Sequence, residues 1–148
     1  MIIEIWTKEK YAASEETSLI KRLGHAGLAL KAARLSRLYK IDGDFTKKEF
    51  EAIASEVLVD KITECYSLSA GRHGFKGGYR AEVWLKDSAT DAVGETVKEA
   101  VAEFAKAPAG VRFGHAYYAA GTSELKLRHA VTKTLANEIV NVCLVERT

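Results

Sequence analysis

The chain has 148 residues, enough for one well-buried domain or for two small halves sharing a core. Its 47% apolar and 28% charged residues are the balance of a globular protein, and a net charge of +2 excludes the basic excess of a nucleic-acid binder. Cys65 and Cys143 stand outside any Cys-x-x-Cys or Cys/His cluster, which excludes a zinc finger or dithiol redox motif and predicts two reduced, packed thiols.

Met1 to Thr7 is apolar, ends in the β-favouring Trp6 and Thr7, and predicts a first strand. Glu4 and Lys8 interrupt its apolar run, and nothing in the chain approaches the ~20 apolar residues of a membrane helix. The expectation is a cytoplasmic, soluble protein without a signal peptide or membrane contact. Ser14 is a candidate cap for a helix with Glu15 and Glu16 in its first turn, where negative charge suits the helix dipole. Leu19, Ile20, Leu23 and Ala26 give that helix its apolar stripe, and Gly24 or Gly27 can end it. Ala33 to Ile41 alternates as a half-buried strand and Asp42-Gly43 marks a turn. Thr46-Lys47-Lys48-Glu49 is a capping box, opening a helix with Phe50, Ile53, Ala54 and Val57 on one face. Val59 to Leu68 completes the first unit as a third strand.

Ser69 to Gly78 holds four glycines and no periodicity, so residues 70–78 are expected to link two units, 1–69 and 79–148. The second unit opens on a strand from Tyr79 to Lys86. Ser88 to Asp91 signals a helix start, with Val93, Val97, Ala100, Val101 and Phe104 along one face, and Pro108 stops that helix. Val111 to Ala120 predicts a strand, and Gly121 to Glu124 opens a helix burying Leu127, Ala130, Val131 and Leu135. The final strand, Glu138 to Glu146, is apolar on both faces and is expected at the centre of a sheet.

Each unit thus reads β-α-β-α-β, and the two agree residue by residue. Shifted by 78 positions, Glu4-Ile5-Trp6 falls on Glu82-Val83-Trp84, and Arg34, Leu35 and Tyr39 fall on Arg112, Phe113 and Tyr117. With one residue deleted, Leu58 to Ile62 falls on Leu135 to Ile139. The predicted architecture is α+β: two tandem units forming an internal pseudo-dimer, with packed antiparallel or mixed sheets and helices outside. Exchange of the terminal strand between units is one way to cover their edges.

The chemistry-bearing residues define no catalytic site. Gly71-x-x-Gly74-x-x-Gly77 leads into a strand, whereas a phosphate loop needs a helix and a Lys-Ser/Thr pair. His25, His73, His115 and His129 never fall at metal-ligand spacing. His115 shares the strand parity of Val111, Phe113 and Tyr117, and its counterpart is Arg37, which is no substitute base; a packed or interface contact is the expected role. No serine stands in a nucleophile elbow, and Asp91 opens a helix as a cap would. Tyr39, Tyr117 and Tyr118 lack the basic strand of an RNA-stacking platform.

The second unit resembles the PurS family, the small subunit of phosphoribosylformylglycinamidine synthase in de novo purine synthesis. The resemblance rests on Asp91-x-x-Gly94-x-x-Val97-x-x-Ala100, then Val111-Arg112-x-Gly114, then Leu135-Ala136-Asn137, and it spans about 70 residues. The first unit follows by repeat, with Glu16 in place of Gly94 and Ser36 in place of Gly114. The family-motif positions, structural or interface in role, are Asp91, Gly94, Arg112, Gly114, His115 and Tyr117, with Arg34 and Tyr39 as first-unit counterparts.

The resemblance implies a tandem PurS-like pair, as in the N-terminal domain of the large single-chain synthase. It implies a non-catalytic adaptor that bridges glutaminase (PurQ-like) and synthetase (PurL-like) subunits or domains and helps pass ammonia between them. ATP, magnesium and glutamine are then expected on those partners, with no cofactor on this chain, and further oligomerisation is compatible with it. Two other readings fit the paired units: a small-molecule-binding regulatory module, and an enzyme of the dimeric α+β barrel type using His115.

Overall fold

The computed structural model describes residues 1–148. Strands β1 (Ile2–Thr7), β2 (Ala33–Asp42) and β3 (Glu64–Ser67) alternate with helices α1 (Ala13–Gly24) and α2 (Lys47–Ile53). The second half runs β4 (Tyr79–Leu85), α3 (Ala92–Phe104), β5 (Gly110–Ala119), α4 (Glu124–Thr134) and β6 (Asn141–Arg147). The α+β class and the β-α-β-α-β order of each half are as expected. No helix is long and apolar enough to cross a membrane.

All six strands join one antiparallel sheet in the order β3-β1-β2-β5-β4-β6, where the sequence predicted packed sheets. Each half keeps its own terminal strand, β3 beside β1 and β6 beside β4, so no strand is exchanged.

The predicted capping box of α2 is formed. Thr46 Oγ1 accepts the Glu49 N–H at 3.2 Å and Glu49 Oε1 accepts the Thr46 N–H at 3.0 Å, satisfying donors that the first turn leaves unpaired. Helix α2 runs on into a π-helical turn, Ala54–Leu58, which carries Ala54 and Val57 as expected of the helix; residues 59–63, expected in the strand, form an irregular stretch and a turn, leaving β3 only four residues long. Helix α1 lacks a side-chain cap: a 3₁₀ turn at Glu9–Tyr11 feeds into it, and Ser14 lies inside the first turn instead of before it.

Alternation along the strands sorts the two sheet faces. Odd-numbered residues of β2 and β5 all point to one face, and all four helices lie there. At one end α1 and α4 pack Leu19, Leu23, Leu127 and Val131 onto Ala33, Ala81, Tyr117 and Ala119. At the other end Phe50, Ile53 and Val101 pack onto Ile3, Ile5, Tyr39, Ile41 and Val111. Each fully buried Leu, Ile, Val or Phe among them contributes about 1.5–3 kcal/mol, and these two clusters hold the helices to the sheet. The opposite face carries no helix and a smaller cluster of Leu38, Ala116 and Tyr118, edged by Ile2, Phe75 and Trp84.

The last strand is not central. It forms a sheet edge, with Cys143 and Val145 packed toward the α1–α4 core while Val142 and Leu144 are 40% and 55% exposed. An unbroken apolar run reads the same whether its second face is covered or bare, and here it is bare.

The registers carry the repeat. Ile2 pairs with Lys40, and adding 78 to both gives Arg80 and Tyr118, which pair between β4 and β5. Glu4 pairs with Ser67 between β1 and β3, and its counterpart Glu82 pairs with Leu144, reproducing the one-residue deletion expected in the last strand. In the seam between the halves, running from Ala33↔Ala119 to Asp42↔Gly110, Arg37 lies opposite His115.

Candidate functional site

The helix-free face concentrates the polar chemistry. Even-numbered positions of β1, β2, β4 and β5 put Glu4, Ser36, Arg80, Glu82 and Tyr118 on it, and Glu4, Arg80 and Tyr118 are at most 1% exposed. The Tyr118 hydroxyl donates to Glu4 and accepts from Arg80 Nε at 2.9 Å. Arg80 Nη1 donates to Glu82 and, at 3.2 Å, to Glu146 on the edge strand. Glu82 also accepts from the indole N–H of Trp84 at 2.8 Å. Burial, then the hydrogen bond to Glu4, drives the Tyr118 hydroxyl far above its ordinary pKa, so it stays a donor. One arginine, one tyrosine and three carboxylates from four strands, β1, β4, β5 and β6, thus tie both halves together.

Residues 71–78 lie over this network as a strap. The Gly71 N–H donates to the second carboxylate oxygen of Glu4, the one that faces Arg80, at 2.7 Å. The His73 ring stacks on Trp6 with centroids 5.0 Å apart and meets Tyr118 edge-on at 5.8 Å. Arg34 Nη1 donates to the carbonyls of His73 and Gly74 at 3.1 and 3.3 Å, and its guanidinium lies 4.1 Å from the Phe75 ring centroid. Burial, reinforced by Arg34, brings His73 down to about pKa 4, so the imidazole is neutral near pH 7. Beside the strap, an open cleft of about 550 Å³ separates the end of β1 from the start of β2, bordered by Trp6, Glu16, Arg34 and Phe75.

The family-motif positions fall into three places. Asp91 caps α3: one carboxylate oxygen accepts the Gly94 N–H at 2.7 Å, and the other accepts the Phe113 N–H at 2.8 Å, clamping helix to strand. A Cβ on Gly94 would lie 2.6 Å from the Val111 carbonyl oxygen, so only glycine allows that approach. Arg34, Arg112 and Gly114 belong to the helix-free face. Arg112 donates to the Leu85 carbonyl and to Asp87, and a Cβ on Gly114 would lie 2.6 Å from the Trp84 ring.

His115, Tyr117 and Tyr39 point to the helical face. The His115 ring lies 4.9 Å from Phe113 and 6.0 Å from Tyr117, and burial, then Arg37, lowers its pKa. The eight residues therefore do not converge on one reaction centre. No group of three or more His, Cys, Asp or Glu side chains is arranged to hold a metal.

Sequence reasoning missed the Glu4–Tyr118–Arg80 network and the Trp6–His73 stack. Its one available signal was the acid two residues before each tryptophan, which in the second half is the acceptor for the indole N–H.

What the fold and this face define is an α+β protein: a one-sided six-stranded sheet with a polar network under a strap. Neither a known family model nor a curated protein matches the chain.

Proposed function

We propose that the chain is a non-catalytic adaptor: a fused PurS-like pair, paired internally as a pseudo-dimer, within phosphoribosylformylglycinamidine synthase. In this role it bridges the glutaminase and synthetase parts in the cytoplasm and aids ammonia transfer between them, while ATP, magnesium and glutamine bind to the partners. The observation that carries the reading is the repeated register: the same offset of 78 relates the β1–β2 and β4–β5 pairings. Such a pair meets along its longest strands, with the seam completing the fold of each half. The Asp91–Gly94 clamp and the packed His115 give the motif positions structural work, as an adaptor requires. The deciding experiment mixes the protein with glutaminase and synthetase subunits, with and without glutamine and nucleotide, and measures complex formation by size-exclusion chromatography. A stable ternary complex is expected; no complex under any condition refutes the adaptor role.

A small-molecule-binding regulatory module is the second reading, favoured by the cleft of about 550 Å³ beside Trp6. It predicts ligand-dependent thermal stabilisation with the purine partners absent.

A further inference from the structure

The four side chains that anchor the strap have counterparts over which no strap lies. Glu4, Trp6 and Arg34 correspond, at the offset of 78, to Glu82, Trp84 and Arg112, while Tyr118 corresponds to Lys40. These counterparts border a second cleft of about 540 Å³ at the other end of the same face. Its outer wall is Val142 and Leu144, the apolar side chains that β6 leaves 40% and 55% exposed. The first cleft is bordered by a glycine-rich segment of successive turns that presents an aromatic ring to Arg34; the second has the corresponding residues and no covering segment.

The charge differs in a way that selects the occupant. The strap carries Arg72 and Lys76 and lies over buried carboxylates. In the second cleft Lys40 stands where Tyr118 stands in the first, and Lys40 makes no ion pair, while Lys86 meets only the Glu138 carbonyl. Glu82 is already engaged by Arg80 and Trp84, and Asp87 by Arg112. The uncompensated charge is positive.

We infer that the Trp84 cleft binds a segment of a partner protein carrying an aromatic residue beside a carboxylate, as Trp6 and Arg34 hold the chain's own strap. The aromatic ring packs between Trp84 and Leu144 and the carboxylate meets Lys40. The inference rests on the internal pairing proposed above, and it names the kind of segment an adaptor partner would insert.

The test uses the full chain carrying Trp6→Phe, which leaves Trp84 as the fluorescent reporter. The probe is a synthetic peptide of the strap sequence, Ser69 to Gly78, with Arg72→Glu and Lys76→Glu. Saturable change in Trp84 emission is expected, weakened about tenfold or more by Lys40→Glu and by Leu144→Asp. Both positions are exposed, and thermal unfolding of each variant checks that the fold is kept; if one variant fails to fold, the other decides. The unaltered basic peptide is expected to bind more weakly than the acidic one. No saturable binding up to about 1 mM overturns the inference, as does binding unchanged in both variants. Concentration-dependent self-association abolished by Leu144→Asp would assign the cleft to a second copy instead. A ternary synthase complex that forms unchanged with Leu144→Asp would remove this inference and leave the adaptor role standing.

Discussion

Arg37 on β2 lies directly opposite His115 on β5, and each is the other's counterpart in the internal repeat. A pair of equivalent residues facing one another marks the midpoint of the relation between the halves. At that midpoint the two positions differ: Arg37 reaches Glu64 at 2.5 Å, while His115 packs among Phe113 and Tyr117. The burial and the arginine that lower the His115 pKa also explain why a histidine here serves as a neutral packing group.

The seam predicts the behaviour of the separated halves. Residues 1–70 alone would bare Leu38 and Ile41, and residues 79–148 alone would bare Val111, Ala116 and Tyr118, together with an unpaired long strand on each. Such edges recruit further chains. Each half expressed alone is expected to self-associate or remain poorly folded; a stable, dilute monomer by light scattering would contradict a shared core.

Glu4 is the buried carboxylate on which the strap and Tyr118 both depend. Glu4→Ala leaves Arg80 short of a neutralising partner in a dry site and orphans the Gly71 N–H. Removing one member of a buried charged network costs about 3–5 kcal/mol. Urea unfolding should show that loss, with a smaller one for Glu4→Gln, which retains an acceptor.

His73 gives the fold an acid sensitivity. Burial favours the neutral ring in the folded state, whereas the unfolded chain takes up a proton near pH 6.5. Stability from this group is therefore complete above pH 6.5 and falls as pH drops from 6.5 toward about 4, by at most about 1.4 kcal/mol per pH unit. His73→Phe keeps the stack on Trp6 and should flatten that part of the stability–pH curve relative to the unaltered chain.

Two helical glycines should respond to alanine with opposite signs. Gly24 ends α1, and a Cβ added there would have nothing within 4 Å, so Gly24→Ala gains helix propensity, up to about 1 kcal/mol. Gly94→Ala makes the same intrinsic gain but drives a methyl to 2.6 Å from the Val111 carbonyl, a backbone atom that cannot step aside. A net loss of about 1–3 kcal/mol is expected, read as a lowered thermal midpoint. A neutral or stabilising Gly94→Ala would mean that α3 sits farther from β5 than described.

The parts of the fold that were legible in the sequence are those encoded locally. The Thr46–Glu49 box, the Asp91 cap and the apolar stripe of α4 each declare an element within a few residues, whereas the α3 stripe buries Val101 and half-buries Val97 but leaves Val93 and Phe104 exposed. What stayed hidden depends on distant strands. The run Ile139 to Val145 suited a central strand as well as an edge, because nothing local says whether a second layer will arrive. Glu4 showed only as a break in an apolar run; the registers of β1, β4 and β5 are what bring it and Arg80 to Tyr118. The glycine-rich stretch, without periodicity, read as a loose link, yet His73 and Phe75 pin it to Trp6 and Arg34.

The strap begins beyond β3 at one edge and must reach β4, passing over β1, β2 and β5, a lateral distance of about 19 Å at the usual strand spacing. A single connection can take that path only once. Two unlinked copies of such a unit would offer two interchangeable ends; here the joining peptide itself shelters one end and leaves the other bare. On the internal pairing proposed above, that asymmetry leaves the inferred partner segment a single end to dock on and a stoichiometry of one per chain.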